Sequence, residues 1–238
     1  RTAILTLGRV YSLQNKQDEA VEQIAKAAAL GDRDTEFIAE VADIHCNLRQ
    51  YDQALELYEE GVNRFPNDAQ FWLARGFVRQ IQGDLNGAIS DASRALQLNP
   101  RSSQALTQLA DIALRRDGDL PAAARYVQRA LAGGTYNLND LNIAEDVAKA
   151  LGRMDEAVAI DEYIAARDPM QAIAHSQLGI AYQQAGRFDA SIASSRTALE
   201  MEPGQPVTHF VIGTSLLFKG EAQAALVQMQ AEPFEPFR

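Results

Sequence analysis

The chain has few residues of the kinds that form disulfides or aromatic cores. It contains one cysteine, Cys46, in 238 residues, so no intramolecular disulfide can form. Aromatic residues make up only 7% of the sequence, although 47% of it is hydrophobic. Alanine supplies much of the remaining apolar content, and its small side chain allows helices to approach closely and bury area through many small contacts. The composition therefore favours a stack of closely packed helices.

Positive charge is also scarce, because 22 Lys and Arg residues oppose 32 Asp and Glu residues and the formal net charge is −10. Such a field repels phosphate backbones and anionic lipid headgroups, so we expect no nucleic-acid partner. No apolar run is long enough to cross a bilayer, and the first residues lack the regions of a secretory signal. No membrane insertion is expected, and a cytoplasmic location is favoured. Because the sequence opens on Arg1, we expect a segment of a longer protein, and a targeting signal outside it stays an open alternative.

A repeat of about 34 residues runs through the sequence. Small residues recur at one position of the repeat, with Glu145 as the exception in the fifth unit: Gly8, Ala42, Gly76, Ala110, Gly179 and Gly213. A second series of small residues runs from Ala20 to Ala225. Glycines recur in the turn between the two halves of five units, at 83, 118, 152, 186 and 220. The units are expected over residues 1–34, 35–68, 69–102, 103–137, 138–171, 172–205 and 206–238.

Each unit is typical of two helices joined by a short turn. One such pair cannot bury its apolar stripe alone, so neighbouring pairs must stack. These features resemble the tetratricopeptide repeat (TPR), most completely in one set: Leu178, Gly179, Tyr182, Ser191, Ala198 and Pro203. The resemblance implies an all-α, right-handed α-solenoid, or superhelix, of about seven repeats, with a concave groove lined mainly by the first helix of each pair. Arg79, at the place of Tyr11 and Tyr182, departs from the pattern, as does the joint at Gly133 and Gly134, where we expect the most pliable connection.

The residue pattern predicts no catalytic residue, no cofactor and no metal site, and hence no enzyme. His175 and His209 take a place that Ile38 and Trp72 fill in other units, which indicates packing roles. His45 precedes Cys46 directly, but adjacent helical side chains diverge by about 100°, so the two do not form a nucleophile and base pair. We expect a half-buried, unreactive thiol.

The resemblance places the partner-binding residues on the first helices, lining the concave groove. The expected set is Arg9, Asp43, Phe77, Asp111, Asp146, Gln183, Phe210, Thr214 and Leu217. The three aspartates occupy equivalent positions and favour a basic or amide-rich segment, while the apolar members supply anchors.

We therefore expect a non-enzymatic protein–protein interaction scaffold that binds a peptide or a partner helix, with a basic partner favoured. The alternative is the regulatory TPR region of a multidomain enzyme or regulator of the adenylate-cyclase-like, winged-helix or sulfotransferase type.

Two further expectations concern the end of the chain. Pro233 arrives early and predicts a short last helix, and the sequence EPFEPFR at 232–238 is interpreted as the start of an eighth first helix. Leu217, Leu226 and Met229 are expected to form an uncovered apolar patch, which favours self-association through this end.

Overall fold

The computed structural model describes residues 1–134 and 136–233, which fold into fourteen α-helices with no strand among them. The chain forms two compact units, each made of several repeats. They are called here unit 1 (Arg1–Thr135) and unit 2 (Tyr136–Arg238). The helices of unit 1 are α1 (Thr2–Leu13), α2 (Gln17–Ala28), α3 (Thr35–Asn47), α4 (Tyr51–Arg64), α5 (Ala69–Ile81), α6 (Leu85–Leu98), α7 (Ser103–Ile112) and α8 (Leu120–Ala132). The helices of unit 2 are α9 (Leu138–Ala150), α10 (Met154–Arg167), α11 (Ala172–Gln184), α12 (Phe188–Met201), α13 (Thr208–Phe218) and α14 (Ala222–Ala231).

Each unit is a stack of helix pairs in which an odd-numbered helix packs on the even-numbered helix that follows it. This architecture confirms the all-α solenoid class, while its right-handed sense stays a prediction. The last helix, α14, has 10 residues where α12 has 14, which confirms the short final helix. Among the described residues no helix combines the length and the apolarity needed to span a lipid bilayer.

Short polar side chains begin several of the first helices. Asp34 accepts a hydrogen bond from the backbone N–H of Phe37 at the start of α3, and Asp68 accepts one from Gln70 at the start of α5. Ser102 caps α7 in the same way. These side chains satisfy backbone donors that have no partner within the helix, so the helix starts are fixed by local sequence.

Small residues bring the two helices of a pair into close contact. A Cβ atom placed on Gly8 would lie 3.1 Å from Ile44 Cδ1 and 3.3 Å from Gln23 Cβ. Ala20 and Ala54, from the second series of small residues, are fully buried on the facing helices. Larger side chains at these positions would push the helices apart, so the recurrent Gly and Ala are a packing requirement.

The fourth repeat, residues 103–137, has one residue more than the 34 of its neighbours, and the chain absorbs this residue after α7. Ala113–Asp117 form a π-helical turn, and Gly118 closes it in a left-handed conformation with φ of 59°. A π-helical turn holds one residue more than an α-helical turn, so the insertion is taken up without loss of the helix register. The boundary between the two units follows Thr135, next to the glycine joint that the sequence marks as irregular.

Candidate functional site

Polar side chains join the first helices of unit 1 in two pairs, α1 with α3 and α5 with α7. Thr2 Oγ1 donates to Glu36 Oε1 at 2.8 Å, which links α1 to α3. Gln80 Nε2 donates to Asp111 Oδ2 at 2.7 Å, which links α5 to α7. The surface that carries Arg9, Asp43, Phe77 and Asp111 on these four helices is called here the first-helix face of unit 1.

Arg9 and Asp43 are both exposed on this face. Arg9 Nη1 lies 3.5 Å from Glu40 Oε1 on α3. Asp43 accepts a hydrogen bond from the hydroxyl of Tyr58, which is buried in the second helix of the same pair. The buried Tyr58 hydroxyl thus fixes the position of the Asp43 carboxylate, and the carboxylate can still accept further hydrogen bonds from a partner.

The same hydroxyl contacts Cys46, whose Sγ lies 3.9 Å from Tyr58 Oη. Burial raises the pKa of the Cys46 thiol to about 11, against a smaller lowering effect of the contact with Tyr58. The thiol therefore stays protonated near neutral pH and is a poor nucleophile.

Phe77 is the largest apolar side chain that unit 1 presents on this face. It is 56% exposed on α5, and Ile81, one turn further along the helix, is 44% exposed. The two lie one turn apart on α5, and Leu13, at the position of α1 that corresponds to Ile81, is 70% exposed. An aromatic ring of this size contributes about 1.5–3 kcal/mol when it is fully buried.

Asp111 is more constrained than its sequence position suggests. Besides the hydrogen bond from Gln80, it forms an ion pair with Arg115 one turn along the chain. Its side chain is only 16% exposed. The guanidinium offsets part of the negative charge, so Asp111 supplies a weaker field than an unpaired carboxylate would.

The corresponding surface of unit 2 is formed by α9, α11 and α13. Asp146 lies half-buried on α9. Gln183 Nε2 donates to the Val211 carbonyl at 3.0 Å and also to Thr214 Oγ1. Gln183 on α11 and Thr214 on α13, both expected site residues, are therefore hydrogen-bonded to each other. Phe210 is half-buried and Leu217 is 54% exposed, both on α13.

A buried ion cluster in the third helix pair is not predicted by the sequence analysis. Arg75 donates to both carboxylate oxygens of Asp91, at 2.9 and 2.7 Å, and Arg79 Nη1 adds a third contact at 2.9 Å. Asp91 is 1% exposed. Arg79, at a position that holds tyrosine in other repeats, is the sequence signal for this cluster, because a charge at an aromatic position requires a buried counter-charge.

The end of unit 2 carries a second unpredicted contact. Glu232, which follows α14, is fully buried and accepts hydrogen bonds from the backbone N–H of Val207 at 3.0 Å and of Phe210 at 3.1 Å. Val207 has φ of 67°, a conformation that β-branched residues rarely adopt. The carboxylate satisfies donors at the start of α13 and interacts favourably with the helix dipole.

The expected C-terminal patch is partly wrong. Leu217 and Leu226 are exposed, but Met229 is half-buried and packs against α13, where a Cβ on Gly213 would meet its Cγ at 2.8 Å. A glycine on α13 leaves the space that Met229 fills. The proposed start of an eighth helix at 234–238 lies outside the described residues.

The described part of the chain has no group of three or more His, Cys, Asp or Glu side chains placed to hold a metal ion. What the site offers instead is an array of fixed hydrogen-bond acceptors beside an exposed aromatic side chain.

Comparisons with known proteins agree with the helix-pair architecture. Mouse Protein O-mannosyl-transferase TMTC1 is 36% identical over 110 residues, a match that covers 44% of this chain and only 12% of the mouse protein. Among solved structures, PilW, a widely conserved type IV pilus biogenesis factor, has a TM-score of 0.72 at 18% identity, covering 87% of this chain and 96% of PilW. YrrB, described as a TPR protein with an unusual peptide-binding site, has a TM-score of 0.63 at 16% identity, covering 73% of this chain and 89% of YrrB. At these identities the two structures show the fold alone.

The model of one family matches most of the chain. The tetratricopeptide repeat model covers residues 42–78, 81–137 and 146–206, which is more than half of the sequence. The matched stretches contain the recurrent small residues and turn glycines of successive helix pairs. The chain belongs to the tetratricopeptide repeat family.

Proposed function

We propose that the protein is a non-enzymatic scaffold that binds a basic peptide or partner helix on the first-helix face of unit 1. Repeats of this family serve generally as scaffolds for protein–protein interaction. The observation that carries the proposal is Phe77, a 56% exposed aromatic side chain on α5, between the acidic residues Asp43 on α3 and Asp111 on α7.

The two kinds of side chain have separate roles. Burial of Phe77 in a partner supplies affinity, because exposed aromatic side chains are the usual anchors of interfaces. The carboxylates of Asp43 and Asp111 supply preference for a partner with Lys or Arg, and the net charge of −10 attracts such a partner over a longer range. The same charge opposes nucleic acid as a partner.

Peptide selection tests this proposal. A phage-displayed library of random peptides is selected on the chain, and the affinity of enriched peptides is measured by fluorescence anisotropy. We expect enriched peptides to combine an apolar residue with Lys or Arg. Phe77→Ala should weaken them by about tenfold, which corresponds to about 1.4 kcal/mol.

Leu30→Ala is the matched control, because Leu30 is as exposed as Phe77 but follows α2, away from the first-helix face. It should leave the affinity unchanged. Equal affinities of the two variants for every enriched peptide would contradict the proposed surface.

A second candidate is the repeat region of a longer enzyme or regulator. It is supported by the match to TMTC1, in which the similar segment is 12% of a protein named as a mannosyl-transferase. In that case the scaffold positions a substrate or a regulatory partner for a domain elsewhere in the protein. The complete gene sequence distinguishes the two candidates, since a catalytic or DNA-binding domain in the same reading frame supports the second and its absence supports the first.

A further inference from the structure

Two carboxyl groups face each other between the helices of the fifth pair. Glu145 on α9 stands where the other repeats have Gly or Ala, and its side chain is only 12% exposed. Asp161 on α10 is 4% exposed, and its Oδ2 atom is buried without a hydrogen-bond donor in the part of the chain that the structure describes. The Glu145 carboxyl lies within hydrogen-bonding reach of Asp161. Two ionised carboxylates are acceptors only, whereas a single proton between them completes a hydrogen bond.

The charged groups on the neighbouring helices do not balance two negative charges. From α9, Lys149 forms an ion pair with Glu145. On the other side of α10, Tyr182 Oη of α11 donates to Glu162 Oε1 at 2.8 Å, and Arg187 Nη1 lies 4.0 Å from the same atom. Arg187 Nη2 also donates to Asp155 Oδ1 at 2.8 Å, so both groups are engaged by carboxylates outside the buried pair. The Lys149 ammonium offsets one carboxylate of the buried pair and leaves the second unbalanced.

We propose that Glu145 and Asp161 share one proton at mildly acidic pH, and that release of this proton near neutral pH loosens the contact between α9 and α10. The reason is that a second buried carboxylate would have neither a donor nor a counter-charge. Proton sharing by this pair does not depend on what the protein binds. Because α9 also carries Asp146, a loosened α9 changes the surface that unit 2 presents to a partner.

The direction of the pH effect follows from proton binding in the two states. Burial, followed by the Glu145 carboxylate, raises the pKa of Asp161 to about 7, against a smaller lowering effect of Lys149. In the unfolded chain an aspartic acid loses its proton near pH 3.9. Between these values the native state holds one proton more, so the unfolding equilibrium constant should rise about tenfold per pH unit. This stabilisation is complete at low pH, is lost as the pH rises to about 7, and does not change above that.

Infrared difference spectroscopy on the whole chain tests proton sharing directly. The wild type should show the carbonyl band of a protonated carboxyl group that disappears near pH 7. Asp161→Asn should lack this band, and Lys149→Gln should move its disappearance to higher pH because a nearby cation is removed. The control Glu156→Gln, at an exposed position of α10, should retain the wild-type band.

Hydrogen exchange tests the structural consequence. After correction for intrinsic rates, amide protection in α9 and α10 should fall between about pH 5 and pH 7 in the wild type, and the fall should be absent in Asp161→Asn. Glu145→Gln provides a second variant without the pair if Asp161→Asn folds poorly. A wild type without the protonated-carboxyl band at about pH 6, or the same fall in protection in wild type and in both variants, would overturn the proposal.

Discussion

His175 Nε2 lies 2.9 Å from the carbonyl oxygen of Pro169, six residues earlier in the chain. Trp72 occupies the equivalent position of an earlier repeat, and its Nε1 donates to the carbonyl of Pro66 at 2.9 Å, also six residues earlier. A carbonyl oxygen only accepts, so the His175 ring must carry its proton on Nε2. The histidine therefore replaces an indole N–H that ties the helix to the preceding proline, in agreement with the packing role predicted for it.

This equivalence predicts the effect of two substitutions. His175→Phe removes the donor and should lower the free energy of unfolding by about 0.5–1.5 kcal/mol, whereas His175→Trp keeps an N–H and should lose less. Urea denaturation measures both. An equal loss in the two variants would show that the hydrogen bond to Pro169 contributes nothing.

A second prediction concerns the buried ion cluster. Asp91→Ala leaves the buried Arg75 guanidinium with only the exposed Glu59, at 3.9 Å, as a counter-charge and should lower the free energy of unfolding by about 3 kcal/mol. The matched control replaces the whole cluster by the residue types of other repeats, as Arg75→Leu, Arg79→Tyr and Asp91→Leu. Because an ion cluster can be exchanged for apolar residues at little cost, the triple variant should be at least as stable as the wild type. If it loses as much as Asp91→Ala, the cluster is not interchangeable with the usual packing.

A third prediction tests the acidic residues of the first helices. Changing Asp43 and Asp111 together to Asn should weaken a selected basic peptide by about 1–3 kcal/mol, and by less at high salt, because the lost interactions are charge-assisted and screened. Two exposed acids on second helices of unit 1 are the control with the same change in net charge: Glu19→Gln and Glu56→Gln. Isothermal titration over a salt series compares the two. Equal weakening by both sets would mean that net charge alone attracts the peptide.

A fourth prediction concerns the apolar surface of α13 and α14. Phe218 is 70% exposed, and Leu217, Leu226 and Val227 are about half exposed. We expect the chain to self-associate through this surface, and Leu226→Glu to abolish the association because a charge cannot be buried there unpaired. Leu30→Glu is the control on unit 1. Light scattering over a concentration series that finds a monomer in all three proteins would reject the association.

Periodicity predicted most of the fold. The recurrent Gly and Ala residues located the close contacts of each helix pair because a Cβ at Gly8 or Gly213 has no free space. Glycine does not occupy the turn between the paired helices in every repeat. In the first two helix pairs Asn15 and Arg49 stand at the same turn and adopt positive φ of 57° and 59°.

The candidate site was less predictable, because its chemistry depends on pairs that are distant in sequence. The sequence singled out Arg79 and Glu145 as departures from the repeat, but not the partners Asp91 and Asp161 that accompany them on the facing helices. Asp43 was assigned to the surface without its buried donor, Tyr58. A charged residue at a small or aromatic position is therefore a signal to search the paired helix for a second polar residue.

Amide NMR spectra of the chain, recorded while a selected peptide is added, locate the residues that a bound partner contacts. If the partner occupies the first-helix face of unit 1, the shifted signals should cluster on α1, α3, α5 and α7 around Arg9, Asp43, Phe77 and Asp111. Shifts that cluster instead on the second helices α2, α4, α6 and α8 at saturating peptide would contradict this location.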